Sequence, residues 1–297
     1  MRVLVTGTTG FVGGAIARHL ARLGHEVVGV SRGLSTTLPE SVQQVQADIG
    51  APTFVDDLVR TVAPCHGVVH AAASRNTRLD APEVTLANCL GTQQVLSVAR
   101  RWPVECFLFI SGVTVIGKPC ELPIGEEHPT APRTAYHASK LYGEHLVEIA
   151  RGEGRPAVSL RLTAPVGPGM PEGRILSIFI RRAVAGAPIE LNGRGTRRQN
   201  YVDVRDVAAA VEQCVSQRPE GVFNIGGSET ISNRQLAETC IKLLESASQI
   251  TFSGRPDPED GIAWDVCLEK ARRIFGYRPR FSIEDTIRDL AEELRHK

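Results

Sequence analysis

The stretch RVLVTGTTGFVG, residues 2–13, decides how the first half of the chain folds. It begins as a short apolar strand, continues with glycines at positions 7, 10 and 13, and leads into an amphipathic run that ends near Leu23. Glycines at this spacing let the chain turn tightly and let a pyrophosphate approach a helix N-terminus, where free N–H groups and the helix dipole attract anions. Because a strand precedes the glycines and a helix follows them, the stretch predicts a dinucleotide-binding βα unit.

Strand-like segments recur through the first half of the chain, with helical stretches between them. They lie near residues 26–31, 42–47, 66–72, 105–111 and 157–162. Such alternation predicts an α/β fold, a Rossmann-type doubly wound parallel sheet with helices on both faces.

The pattern becomes irregular after about residue 165. Helices are predicted there at 174–186, 204–217, 233–246 and 283–295, and short strands at 189–191 and 222–225. We expect a dinucleotide-binding domain over residues 1–165, with segments near 200–225 returning to it. Residues 166–297 would mainly form a smaller C-terminal substrate-binding lobe.

A tyrosine and a lysine four residues apart indicate the chemistry. Tyr136-His-Ala-Ser-Lys140 lies in a segment, 135–149, whose apolar residues recur at roughly helical spacing. Residues i and i+4 share one helix face, so the hydroxyl and the ammonium can point into the same cleft. The lysine cation, together with a positively charged nicotinamide ring, pulls the tyrosine pKa down from about 10. The pair is therefore suited to protonating a carbonyl oxygen while hydride arrives, or to the reverse.

Composition excludes several kinds of partner. The 297 residues include 34 basic and 33 acidic ones, so the net charge is +1 and no overall field attracts nucleic acid or a membrane. No apolar run approaches the roughly 18 residues of a membrane span, and the first strand begins at residue 2. The seven cysteines lack CxxC spacing, and His70 and His137 are interpreted as packing or hydrogen-bonding residues. We expect a cytoplasmic protein with reduced thiols, no signal peptide and no metal.

Together these motifs resemble the short-chain dehydrogenase/reductase superfamily, and within it the extended branch, the NAD-dependent epimerase/dehydratase family. Further matches follow in order along residues 2–285: Asp48-Ile49, His70-Ala-Ala-Ala73, Asn88-Cys-Leu-Gly91-Thr92, Ser111 to Gly117, Arg161 to Pro168, Gly193 to Val207 and Phe223 to Gly226. The resemblance implies an enzyme with a small-molecule substrate, from a family that includes epimerases, dehydratases, ketoreductases and decarboxylases.

The resemblance also implies which residues bind the cofactor. Lys140 would hold the ribose, and Asp48 would lie at the edge of the adenine. The whole set is Gly7, Thr9, Gly10, Phe11, Val12, Gly13, Ser31, Arg32, Asp48, Ile49, Ala71, Ala72, Ala73, Tyr136, Lys140 and Ala164.

The end of the second strand bears on the choice between NADP(H) and NAD(H). An NAD-binding member usually has an acidic residue there, which accepts a hydrogen bond from the ribose 2′-hydroxyl and would repel a 2′-phosphate. This chain has Ser31 followed by Arg32, a hydroxyl and then a guanidinium suited to bidentate phosphate contact. The sequence therefore favours NADP(H).

The hydroxyl that would orient the substrate carbonyl beside the tyrosine is less well defined. In the commonest family spacing it would fall on Gly112, which has no side chain. Relatives with one additional residue in the loop would place it on Ser111, which we prefer, and Thr114 is a further candidate in the same loop. Ile116 stands where the family often has a tyrosine, which removes one polar substrate contact.

Two more departures from the family pattern concern the substrate. Ala164 stands where sugar-nucleotide enzymes often have Asn, and Gln199 stands where a single Arg often binds the diphosphate. Arg197 and Arg198, immediately upstream, can take over that contact, since guanidinium–phosphate contacts tolerate different backbone origins. Otherwise the ligand is not a nucleotide diphosphate.

These features predict an NADP(H)-dependent oxidoreductase, a ketoreductase acting on a nucleotide-activated deoxysugar such as a 4-keto-6-deoxyhexose. Three alternatives stay open. The first is a nucleotide-sugar epimerase, such as a 4-epimerase, that retains its NAD(P). The second is a reductase of a non-sugar ketone or aldehyde, and the third is a cofactor-sensing regulator without catalysis, against which the intact Tyr136 and Lys140 argue.

The resemblance further implies a homodimer built on a four-helix bundle, in which each subunit contributes the helices around residues 88–99 and 135–150. Both segments carry more apolar side chains than one sheet contact needs: Val95, Leu96, Val98, Leu141, Leu146 and Ile149. An isologous two-fold contact would bury this second stripe. The alternative is that these residues face only their own sheet.

Overall fold

A seven-stranded parallel sheet lies at the centre of the computed structural model, which describes residues 1–295. Its strands are β1 (Arg2–Thr6), β2 (Glu26–Ser31), β3 (Gln43–Gln46), β4 (Gly67–His70), β5 (Cys106–Gly112), β6 (Ala157–Leu162) and β10 (Gly221–Ile225). From edge to edge they lie in the order β3-β2-β1-β4-β5-β6-β10, so the chain order reverses between β1 and β4. In such sheets a ligand crevice forms at this switch point, outside the carboxyl ends of the strands. The predicted α/β fold with a parallel sheet is confirmed.

Helices cover both faces of this sheet. One face carries α1 (Phe11–Arg22), α7 (Val204–Gln217) and α9 (Glu269–Phe275), and the other carries α2 (Phe54–Thr61), α4 (Gly91–Arg101) and α5 (Ala135–Gly152). A short helix α3 (Pro82–Val84) continues through a π-helical segment, Thr85–Leu90, into α4. In β1, Val3 and Val5 join the apolar core of the first face, while Leu4 joins that of the second. Side chains alternate along a strand, so a strand covered on both faces is apolar at every position.

The second lobe is assembled from short strands of distant origin. β9 (Arg198–Asp203) pairs with β7 (Ala164–Val166), β11 (Thr230–Ser232) and β13 (Ala263–Trp264), and β8 (Ile189–Leu191) pairs with β12 (Ile250–Phe252). Helices α6 (Ile175–Val184), α8 (Asn233–Leu243) and α10 (Ile283–Arg295) enclose a separate apolar core that includes Leu176, Leu236 and Ile287. The segment 204–225, in contrast, returns to the central sheet as α7 and β10.

The proposed dimer helices expose a different set of apolar residues from the predicted one. Val95 and Val98 are fully buried and Leu96 is 8% exposed, so all three pack inside their own subunit. The prediction that they form a second, partner-facing stripe is therefore wrong. Ile149, from the predicted set, is 57% exposed. The exposed apolar side chains that accompany it on these two helical segments are Leu86, Leu90 and Tyr142.

Three further findings hold for residues 1–295. None of their helices has the length and apolar character of a membrane span. They contain no cluster of three or more His, Cys, Asp or Glu side chains that could hold a metal ion. All seven cysteines are free thiols, four of them buried: Cys65, Cys106, Cys214 and Cys240.

Candidate active site

The glycine turn between β1 and α1 is too crowded for side chains. Gly7 has φ +78°, and a Cβ there would lie 2.7 Å from Ala72 Cα. A Cβ on Gly13 would lie 2.3 Å from the Gly7 carbonyl oxygen. Gly10 precedes α1 and contributes no side-chain cap, and the first N–H groups of a helix have no partner within the helix. The turn therefore leaves a bare anion site at the carboxyl edge of the sheet.

One cleft of about 550 Å³ begins at this turn and crosses the carboxyl ends of β1, β2, β4 and β5. All the residues predicted to bind the cofactor line it, as do Ser111, Thr114 and Arg197. A smaller chamber of about 210 Å³, lined by β7, β9 and the start of α6, shares Ala164, Arg174, Arg197 and Gln199 with it. The structure thus brings the predicted site residues together, with the exception of Arg198.

The end of β2 presents one hydrogen-bonded hydroxyl, that of Ser31, and one exposed guanidinium, that of Arg32. The Ser31 oxygen accepts a hydrogen bond from the Thr9 N–H at 3.1 Å and lies 3.0 Å from the Thr8 hydroxyl, so it braces the glycine turn. Arg32 is exposed and lines the cleft. Asp48, the nearby acid, accepts a hydrogen bond from the Gly50 N–H at 2.9 Å in a local turn.

Tyr136 and Lys140 lie in the first two turns of α5, which begins where the Thr134 hydroxyl accepts a hydrogen bond from the His137 N–H. The Lys140 ammonium donates to the Ile110 carbonyl of β5 at 2.8 Å and lies 6.0 Å from the centroid of the Tyr136 ring. Gly143 allows this close docking, because a Cβ there would lie 2.3 Å from Phe109 Cζ. The pair therefore shares one helix face in the cleft, as the spacing predicts.

Burial changes the acid–base behaviour of both side chains. Lys140 is 4% exposed, and this desolvation lowers its pKa to about 8, against the opposing effect of the Glu144 carboxylate. Burial raises the pKa of Tyr136, while Arg75 and Arg174 pull that pKa down. Both shifts follow from the cost of a charge in a low-dielectric site. A lysine that titrates near 8 is poised within the physiological range.

Ser111 is engaged by a buried ion pair. Its hydroxyl donates to Glu144 Oε1 at 2.5 Å, and Glu144 in turn pairs with Arg161 at 2.8 Å. A hydroxyl has one proton, so this contact leaves none for a substrate oxygen. The geometry therefore counts against the preference for Ser111.

Thr114 lies in a short 3₁₀ turn, Val113–Ile116, directly after β5, and lines the cleft. A Cβ built on Gly112 would lie 3.5 Å from the Thr114 hydroxyl oxygen. The Thr114 hydroxyl thus lies beside the place that a side chain at position 112 would take. Thr114 therefore stays a candidate for the hydroxyl that orients the substrate carbonyl.

His70 is fully buried behind the cleft and has a hydrogen-bond partner on each ring nitrogen. Its Nδ1 lies 2.8 Å from the Thr6 hydroxyl and its Nε2 lies 3.0 Å from the Thr92 hydroxyl. Burial, together with the nearby Lys140 cation, lowers its pKa to about 3. His70 is therefore a neutral hydrogen-bonding residue that joins β1, β4 and α4.

The two arginines that were predicted to bind substrate, Arg197 and Arg198, lie at the start of β9 and point to different sides. Arg197 and Gln199 line the cleft, whereas Arg198 donates to the Thr230 carbonyl at 3.1 Å and does not line it. Successive residues along an extended strand face opposite sides, and Arg198 points away from the cleft that Gln199 lines, so the prediction for Arg198 is wrong. Arg197 pairs with Glu259 at 3.1 Å.

Two arginines in the cleft were missed by sequence reasoning. Arg75 lies in the loop after β4, and Arg174 directly precedes α6. Neither they nor Arg32 belong to any ion pair formed among residues 1–295. The Nε of Arg174 is also buried without a hydrogen-bond partner in this part of the chain. Their position in loops at the carboxyl edge of the sheet was the available signal.

Together, the sheet order, the glycine turn and the polar cleft at the switch point define a dinucleotide-binding enzyme of the α/β class. A family model described as the NAD dependent epimerase/dehydratase family matches residues 3–226. The chain belongs to that family, and the resemblance to the extended short-chain dehydrogenase/reductases is confirmed.

Relatives of known name are similar along nearly the whole chain. The dTDP-glucose 4,6-dehydratase of Streptomyces niveus is 28% identical, over 98% of this chain and 92% of its own length. The low-salt glycan biosynthesis protein Agl12 of Haloferax volcanii is 30% identical, over 96% of both chains. Among solved structures, the UDP-glucose 4-epimerase of Thermus thermophilus in complex with NAD has a TM-score of 0.87 at 27% identity and covers 99% of both chains.

Proposed function

We propose that this enzyme is an NADP(H)-dependent reductase of a keto group on a nucleotide-activated deoxysugar. The observation that carries this proposal is the end of β2, where Arg32 lines the cleft without an ion pair to residues 1–295 and directly follows the strand in place of an acidic residue. A carboxylate there would select NAD(H), and a guanidinium selects a 2′-phosphate. Family members with such a Ser-Arg ending are more often reductases that consume NADPH from solution. Members that recycle their cofactor, such as epimerases and dehydratases, mostly carry an acidic residue there.

The residues of the turn fit a dinucleotide. The pyrophosphate would lie in the cleft against the glycine turn, at the N-terminus of α1, which carries no side-chain cap. Asp48 would lie at the adenine, and Lys140 would hold the nicotinamide ribose. When bound, the cofactor supplies or accepts hydride at its nicotinamide ring.

The chain's own residues supply the proton. Tyr136 would donate its phenolic proton to the alkoxide that forms from the substrate carbonyl. The Lys140 ammonium, 6.0 Å from the tyrosine ring centroid, stabilises the phenolate that remains. The Thr114 hydroxyl would donate a hydrogen bond to the same substrate oxygen, in the role that sequence alone gave to Ser111.

The arginines of the cleft support an anionic substrate. Arg174 and Arg197 both line the cleft and the smaller chamber beyond it, and Arg75 joins them from the loop after β4. Arg75 and Arg174 form no ion pair with residues 1–295, so a nucleotide diphosphate could accept charge-assisted hydrogen bonds from both. Two of the three named relatives act on dTDP-glucose or UDP-glucose, which supports a nucleotide sugar here. The replacements Ala164 and Gln199 keep a non-sugar carbonyl compound as an alternative.

The second candidate is a nucleotide-sugar epimerase that retains its cofactor. It is favoured by the 27% identity to the Thermus thermophilus UDP-glucose 4-epimerase along the full length of both chains. The decisive assay follows NADPH absorbance with a dTDP-linked 4-keto-6-deoxyhexose. A reductase consumes one NADPH per product, whereas an epimerase interconverts UDP-glucose and UDP-galactose with its retained cofactor alone. Absence of both reactions contradicts a nucleotide-sugar substrate.

We also propose that the protein is a cytoplasmic homodimer. Its free thiols support the location, and the exposed Leu86, Leu90, Tyr142 and Ile149 support an apolar contact through the segment 85–101 and α5. Light scattering at micromolar concentration should give twice the 32.1 kDa chain mass. Ile149→Asp should then give the mass of one chain, and a wild-type monomer contradicts the proposal.

A further inference from the structure

A third ionisable residue continues the stripe that Tyr136 and Lys140 begin on α5. Glu144 lies one turn after Lys140, on the same helix face. Its side chain is 5% exposed, and unlike the other two it does not line the cleft. A carboxylate in this place is expensive to bury unless it has a function or a complete set of partners.

The carboxylate of Glu144 is held by hydrogen bonds from two side chains, Arg161 and Ser111. Arg161 of β6 donates from Nη2 to Oε2 at 2.8 Å and from Nε to Oε1 at 3.1 Å. Ser111 of β5 donates to Oε1 at 2.5 Å. The third nitrogen of the Arg161 guanidinium, Nη1, donates to the Glu126 carbonyl oxygen at 2.9 Å. Hydrogen bonds to a charged carboxylate stabilise that form.

Few charged groups face Lys140, and Glu144 is the only anion among them within residues 1–295. Its own helix contributes Tyr136 and Glu144, β4 contributes the neutral His70, and β6 contributes Arg161 behind Glu144. The strand β5 contributes the Ile110 carbonyl, which has no net charge. Glu144 is thus the carboxylate that opposes the effect of burial on the ammonium, although it is also paired with Arg161.

We propose that Glu144 is a positioning residue that keeps Lys140 protonated, and that Ser111 serves Glu144 and not the substrate. This inference rests on the proposed roles of Tyr136 and Lys140. The carboxylate attracts the ammonium in a site of low dielectric, and the hydrogen bonds from Arg161 and Ser111 fix the position of the carboxylate. Without it, no carboxylate among residues 1–295 would oppose the burial of the ammonium, and the amine would lose its proton at a lower pH.

The experiment reads the charge of Lys140 directly, without a substrate. The chain has five lysines, Lys118, Lys140, Lys242, Lys270 and Lys297, so ¹³Cε-labelled lysine gives few NMR signals. Lys140→Arg assigns its signal, which should titrate near pH 8 in the wild type. In Glu144→Gln the midpoint should fall by about one pH unit or more, as expected for loss of a close opposite charge. An unchanged midpoint overturns the proposal.

A matched control and a second variant guard against loss of folding. Glu148, one turn further along α5, is 56% exposed and pairs with Arg151, so Glu148→Gln should leave the Lys140 midpoint unchanged. If Glu144→Gln alone fails to fold, the double variant Glu144→Gln/Arg161→Gln replaces the ion pair by two neutral amides of similar shape, which proteins tolerate better than one unpaired charge. It should also lower the midpoint, and a midpoint at or above the wild-type value contradicts the proposal.

Kinetics separate this role from a merely structural one. If Lys140 must be cationic, kcat falls as pH rises through the pKa of Lys140, and in Glu144→Gln this fall should begin at lower pH. The KM for the substrate should stay within about threefold, because Glu144 does not line the cleft. A uniform loss of activity at every pH contradicts a role through Lys140. If no carbonyl substrate is turned over, the proposed function fails, while the NMR titration still decides the role of Glu144.

Discussion

Lys140 and Arg32 are both cations of the same cleft, but the protein treats them in opposite ways. Lys140 is 4% exposed. It lies in a buried wall of the cleft formed by α5, β5 and β6, where Glu144 is paired with Arg161 and accepts a hydrogen bond from Ser111. Arg32 is exposed on a loop, and like Arg75 and Arg174 it belongs to no ion pair among the described residues. Burial lowers the pKa of Lys140 to about 8, whereas the Arg32 side chain stays in contact with solvent.

This difference indicates two roles for cations in the cleft: control of protonation and binding of anions. A charge in a low-dielectric wall is strongly coupled to its neighbours, so it can control protonation of a reacting group. An arginine held in solvent without a carboxylate keeps its donors available for an anionic ligand. We expect substitutions in the buried wall to change rate, and substitutions among the arginines to change affinity and its dependence on salt.

The largest effect is expected at the reacting group of the buried wall. Tyr136→Phe removes only the hydroxyl, so turnover should fall by about 10²–10⁴-fold while the fold survives. Cofactor affinity, measured by fluorescence titration, should stay within a few fold of wild type. A variant that retains most of its turnover contradicts Tyr136 as the proton donor.

Removing the hydroxyls of Thr114 and Ser111, one at a time, tests which of the two contacts the substrate. Thr114→Ala should lower kcat/KM by about 10²-fold, the usual cost of removing one hydrogen-bond donor to a developing oxyanion. Ser111→Ala, its matched control, should lose less than about tenfold, because its proton goes to Glu144. The reverse ranking would restore Ser111 as the catalytic hydroxyl.

Substitution of Arg32 should change the affinity for the cofactor and leave the rate of the chemical step unchanged. Arg32→Ala should weaken NADP(H) binding by about ten- to a hundredfold, the value of about 1.5–3 kcal/mol for a charge-assisted hydrogen bond, and leave NAD(H) nearly unchanged. Arg133 is exposed outside the cleft, so Arg133→Ala serves as the control. Equal losses for both cofactors, or tighter wild-type binding of NAD(H), would show that Arg32 does not select the phosphate.

The parts of this fold that could be predicted are those that depend on neighbours in sequence. The helix 204–217 forms at the predicted residues, since its apolar face has helical periodicity. The strands β7, β9, β11, β12 and β13 were not predicted, because each is defined by its pairing with a segment distant in sequence, although β8, which is equally short, was predicted. Short strands carry little periodic signal of their own.

The same limit applies to the site. The glycine turn and the Tyr136–Lys140 pair are local patterns, and the structure brings them together. The direction of the Ser111 hydroxyl depends on Glu144 and Arg161, which come from a helix and another strand. Leu96 was misjudged for a related reason, since periodicity shows that a residue is apolar but not which neighbour covers it.

The buried imidazole of His70 sets an acid limit on the whole fold. In the unfolded chain its pKa is near 6.5, and in the folded chain it is about 3, so below pH 6.5 the unfolded state takes up a proton that the folded state refuses. Stability is therefore lost as pH falls, by about 2 kcal/mol at pH 5. Urea unfolding at pH 7 and pH 5 should show this loss, and His70→Asn should reduce it. The imidazole thus makes the stability of the core that joins β1, β4 and α4 depend on pH.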